Sequence, residues 1–148
     1  DETDRVLALR EASRVVKPGG FVYAAAISRW APRLDGMLME RTHLKYPAIA
    51  DWIASAETTG VMPPVHQTSF NGYAHRPQQL AHEVAASGLH LDSLVSVEGI
   101  AFALGDLQAR LDDPDERALL LETLRVTESV PELLGTGPHL LAVCQKLQ

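Results

Sequence analysis

Apolar positions recur at two periods along this chain, and the change from one to the other marks its elements. Val6, Leu9, Ala12 and Val16 follow the helical spacing, with Leu7 and Val15 widening the stripe. Pro18 disfavours helix at Lys17, and Gly19-Gly20 can take the dihedrals that turn the chain back. From Phe21 the period falls to two. Phe21, Tyr23, Ala25 and Ile27 fall on one face, and Val22, Ala24 and Ala26 on the other. Neither face is polar, so the pattern predicts a parallel strand covered on both sides, fed by a crossover helix.

The helical period returns after Ser28. Leu34, Met37 and Leu38 form one stripe, and Ile49, Trp52, Ile53 and Ala56 a second. Pro47 suits the first turn of that second helix and Gly60 the position past its end, before Met62-Pro63-Pro64 breaks the chain. Residues 29–65 therefore read as a helical insertion at a strand's carboxyl end, where α/β sheets carry lids and substrate walls. A helix follows Arg76-Pro77, with Leu80, Val84 and Ala85 inward and Gly88 at its end. Leu89 to Val97 alternates as a strand near a sheet edge, with Leu94 out of step. Residues 102–134 read as helical, with a start signal at Asp113-Pro114-Asp115-Glu116. After the turn Gly135-Thr136-Gly137-Pro138, His139 to Lys146 is a last strand, apolar on both faces through Val143 and expected inside the sheet.

Composition narrows the class. The 148 residues are enough for one core, with 46% hydrophobic and 22% charged residues. A net charge of −6 without a basic run argues against a nucleic-acid partner. No apolar run is long enough to span a bilayer, so no membrane partner is expected. The single cysteine, Cys144, allows no internal disulfide and suits a reducing cytoplasm.

The segment Arg14-Val15-Val16-Lys17-Pro18-Gly19-Gly20 resembles the "R-V-L-K-P-G-G" motif of class I S-adenosylmethionine-dependent methyltransferases. The following strand, ending in Ile27-Ser28-Arg29-Trp30, resembles members acting on small molecules. Phe70 to Arg76 resembles the family's aromatic-His-Arg-Pro lead-in to a helix. The resemblance implies the C-terminal half of a Rossmann-like α/β sheet. The strands 21–28 and 89–97 become the family's fifth and sixth, and 139–146 the seventh, antiparallel between them. Residues 1–148 then form a partial methyltransferase domain, with helical insertions at 29–65 and 102–134.

The family binds its methyl donor through a glycine-rich turn after the first strand and an acidic residue after the second. No G-x-G-x-G occurs in this chain. The resemblance thus implies S-adenosylmethionine for a longer enzyme, and no cofactor or activity for these residues alone. It also implies an unpaired edge on the first strand, covered by an N-terminal half or a second copy. The alternative is a non-catalytic module that binds a protein partner, or itself, through that edge.

The candidate substrate contacts are Arg29, Trp30, Tyr73 and His75. Arg29 either holds an anionic substrate group or helps shape the lid, or else caps a helix or forms a salt bridge. His75 is either a general base for a hydroxyl or amine or a cap for the following helix. His43, His66, His82, His90 and His139 are scattered, with no pair at i, i+4, and no metal site is expected. Cys144 reads as inert core, and Trp52 with Ile49 and Ile53 as lid packing.

Overall fold

A computed structural model of the chain describes residues 1–41, 46, 48–64 and 71–147. His43, Pro47, Val65, His66 and Phe70 lie outside the described residues. The elements are α1 (Glu2–Val15), β1 (Phe21–Ser28), α2 (Ala31–Asp35), a wide π-helical turn (Gly36–Glu40), α3 (Ala48–Thr59), β2 (Val61–Met62) and β3 (Gly72–His75). Then come α4 (Pro77–Ala86), β4 (His90–Ser96), a 3-10 turn (Gly99–Ala103), α5 (Leu107–Asp112), α6 (Pro114–Thr127) and β5 (His139–Gln145). No described helix is long and apolar enough to cross a membrane.

The five strands form one open sheet in the order β2-β3-β1-β5-β4. The last strand of the chain, β5, lies between β1 and β4 and is antiparallel to both. That is the insertion the resemblance implies.

The Lys-Pro-Gly-Gly turn sets this geometry. Gly19 takes φ +78°, and a Cβ on Gly20 would come within 2.6 Å of Val16 Cγ1. The reversal brings Gly19 N–H to the Lys146 carbonyl at 2.8 Å and Lys146 N–H to the Gly20 carbonyl at 3.0 Å. Lys146 Nζ donates to the Ser13 and Val16 carbonyls at the end of α1, each at 2.9 Å.

One sheet face is covered. Val22, Ala24 and Ala26 of β1 join Leu140, Ala142 and Cys144 of β5, and Leu9 of α1 and Leu80 and Val84 of α4 pack on them. The alanines let the helices approach closely. Leu7 and Val15, read as part of the α1 stripe, are exposed.

The other face of β1 corrects the expected burial on both sides. Phe21 is 46% exposed and Tyr23 66%, and no described helix packs over them. Among the described residues the edge of β1 is also largely open, because β3 pairs with it only at Ile27 and Ser28. That parallel pair, and the β2–β3 pairing beside it, were absent from the sequence reading.

β4 lies at the sheet edge as expected, and a register shift between Leu91 and Ser93 explains the misplaced Leu94. The bulge leaves Asp92 unpaired, so Leu91 opposes Cys144 and Leu94 opposes Ala142, both toward the covered face. Residues 102–134 are not continuously helical. A 3-10 turn, α5 and α6 divide them, and α6 ends at Thr127. Asp113 caps α6, accepting from the Asp115 and Glu116 N–H groups at 2.9 Å.

Candidate functional site

At the carboxyl end of β1, three of the four sequence candidates come together. Arg29 follows the strand directly and is 2% exposed. Its Nε donates to the Ala74 carbonyl at 2.8 Å and its Nη1 to the Glu57 carbonyl at 3.3 Å. Its Nη2 donates to Gln79 Oε1 at 2.7 Å and to the Tyr73 hydroxyl at 3.3 Å. The guanidinium thus ties β3, α3 and α4 to β1 through neutral oxygens. Gly60 makes room for it: with φ +86°, a Cβ there would fall 2.6 Å from both Arg29 Nη2 and Tyr73 Cζ.

His75 is 7% exposed and stands edge-on to Tyr73, with ring centroids 4.8 Å apart. Its Nε2 lies 3.1 Å from Glu83 Oε2. Glu83, on α4, is 2% exposed and accepts from Arg5 of α1 through Nη2 at 2.6 Å and Nε at 3.0 Å. The Arg5 guanidinium also covers the Tyr73 ring, 3.6 Å from its centroid. A carboxylate only accepts, so Nε2 of a neutral His75 carries the proton. The Nδ1 lone pair is then left buried and without a partner.

Burial pushes the His75 pKa down. Glu83 opposes that shift, while the Arg5 and Arg29 cations add to it. The sign of the linkage follows. Above the ordinary value of about 6.5, both folded and unfolded chains hold this histidine neutral. As pH falls below that value, the unfolded chain takes the proton first, and stability is lost through the folded pKa. Melting temperature should therefore drop between pH ~7 and ~5, and His75→Gln should flatten that drop. An unchanged slope in the variant would count against the buried neutral imidazole.

A groove of about 730 Å³ opens beside this cluster, lined by Arg5, Tyr73, His75 and the Ala25–Ile27 edge of β1. Trp30 is elsewhere. It lines a separate hollow of about 550 Å³ between α2 and the 3-10 turn. Arg76 stands over its ring, 6.0 Å from the centroid.

The sequence reading missed Arg5, Gln79 and Glu83. A signal for Glu83 was present: it falls between Leu80 and Val84 on the inward stripe of α4, where a carboxylate needs a partner. Among the described residues, no group of three His, Cys, Asp or Glu side chains could hold a metal ion. Cys144 is fully buried, and burial pushes its thiol pKa up.

No protein-family model matches the chain, and no curated protein does. Among solved structures, the chain is similar to a SAM-dependent methyltransferase from Methanosarcina mazei, with a TM-score of 0.51 and 14% identity. The match covers 99% of this chain and 53% of that one, so the chain spans about half the length of that neighbour. At this identity the likeness shows the fold, a methyltransferase-like Rossmann sheet.

Proposed function

We propose that this chain is the C-terminal, substrate-side part of an S-adenosylmethionine-dependent methyltransferase acting on a small organic molecule. The carrying observation is β5, inserted antiparallel between β1 and β4 in a sheet where, among the described residues, no strand pairs with the other edge of β1 from Phe21 to Ala26. An element that follows the rest of the chain yet sits inside the sheet belongs to the closing half of such a fold. The free edge is where a further parallel strand fits.

S-adenosylmethionine, when bound, supplies a methyl group on a sulfonium for attack by a substrate oxygen, nitrogen or carbon. The residues present do not fit that donor. No glycine-rich turn follows a strand, and the polar groups beside β1 already bond to one another as Arg5–Glu83–His75. What this chain contributes is orientation. Walls at the carboxyl end of β1 hold an acceptor, and proximity lowers the barrier without a fixed acid–base pair.

Calorimetric titration of the 148-residue chain with S-adenosylmethionine is expected to show no binding. The gene's product extended upstream by roughly a hundred residues, enough for a strand and glycine-rich turn, should bind it. Binding by the 148-residue chain itself would overturn this reading.

The exposed Phe21 and Tyr23 favour a second reading, a non-catalytic module that takes a protein partner or another copy on that surface. A native start codon near Asp1 would select it over the first.

A further inference from the structure

The hollow at Trp30 shares no lining residue with the groove at His75. Two separate segments build its walls. Trp30, Leu34 and Leu38 come from the start of the helical insertion, and Ile100 and Phe102 from the 3-10 turn after β4. The turn before β5 completes it and is fixed to the sheet, with Ser28 N–H donating to the Pro138 carbonyl at 2.8 Å. Its volume of about 550 Å³ lies in the range of small-ligand sites.

The chemistry of the lining selects the ligand. Trp30, Leu38 and Ile100 keep much of their apolar surface in water within a concave space. An apolar body seated there would remove that surface from water, and the indole favours a ring. Among the described residues one charged side chain lines the hollow, and it is already paired; Arg76, 6.0 Å from the Trp30 centroid, is not part of the lining. Arg33 lines the hollow, but its Nε and Nη2 are held by Glu57 at 2.6 and 2.8 Å. An anionic ligand would have to break that pair, and a cationic one meets a guanidinium whose carboxylate is already engaged. Thr136 donates its hydroxyl to the Leu133 carbonyl at 2.6 Å, which leaves its oxygen as an acceptor.

The geometry points to a binding site for a small, neutral aromatic molecule that carries a hydroxyl or amino donor. This rests on the reading of the chain as the substrate side of a methyltransferase, and it names the acceptor's class. The donor group of such a ligand, held at Thr136, is also a group able to accept a methyl.

The test needs no methyl donor. Ligand-observed NMR on the 148-residue chain should show saturable binding of 1-naphthol. 1-Naphthoate should bind at least roughly tenfold more weakly, because burying its carboxylate is costly and the one cation in the described lining, Arg33, is held by Glu57. Ile100→Asp should weaken 1-naphthol binding by roughly tenfold or more. Leu38→Asp, across the hollow, should do the same if Ile100→Asp fails to fold. Tyr23→Lys, on the bare sheet face, should leave binding unchanged. No binding, equal binding of the naphthoate, or indifference to both aspartates would overturn the site. Failure of methyl transfer in the longer protein with 1-naphthol binding intact would overturn the functional reading alone.

Discussion

Replacing Glu83 by alanine is expected to destabilise the chain by about 3 kcal/mol, because it breaks a buried ion pair by removing one partner. The carboxylate joins α1, α4 and β3 at one point. It accepts from Arg5 Nε and Nη2 and from His75 Nε2. Without it, the His75 Nε2–H is left buried beside an Nδ1 that already lacks a partner. Arg5 suffers less, since its side chain is 22% exposed and can turn to water. For a chain of this length the loss corresponds to a melting point roughly 6–12 °C lower. The contrast is Arg33→Ala. It breaks a pair of similar geometry with Glu57, but the Arg33 side chain is half in water. Its cost should stay under about 1 kcal/mol. Urea denaturation of both variants separates the cases. If Glu83→Ala were as mild as Arg33→Ala, the cluster would be ornament rather than the anchor of α1.

Much of the sheet was legible because its signals are local. The helix, the Lys-Pro-Gly-Gly reversal and the strand after it each follow from residues within a few positions of one another. The place of β5 was legible from the resemblance together with its two apolar faces. The bulge in β4 was visible as a misplaced leucine, though its consequence for Leu91 was not. β2 and β3 escaped because strands of two and four residues are too short for a period to register. Their pairing joins positions far apart in sequence. The Arg5–Glu83–His75 cluster escaped for the same reason: Arg5 and Glu83 are 78 positions apart. Trp30 and Tyr73 were named together as substrate contacts, yet they line different hollows. The strand end directs successive residues to opposite sides, so Arg29 and Trp30 diverge.

The exposed face of β1 leads to the second large effect, association of the chain with itself. Phe21 and Tyr23 stack with centroids 6.4 Å apart. Tyr23 opposes Val143, and Ala25 opposes Leu141, which opposes Val95. Residues directly opposite one another share a face, so these side chains make one apolar patch. The patch meets a strand edge whose backbone groups, from Phe21 to Ala26, pair with no described strand on that side. An apolar face and an open edge at one place favour association more than either alone. At about 100 μM, well inside the range where exposed strand edges associate, sedimentation should show species heavier than the 16.1 kDa monomer. Tyr23→Lys should return most of the protein to monomer, because it places a charge in the centre of the patch. Its melting temperature should hold, since Tyr23 is already 66% exposed and buries little. An upstream extension that supplies a strand and a covering helix should suppress association without any substitution. A chain that stays monomeric at that concentration, with Tyr23 intact, would mean that the patch is too small or too well hydrated to drive docking. The reading of this surface as a place for another copy would then lose its support, while the methyltransferase reading would still rest on the place of β5.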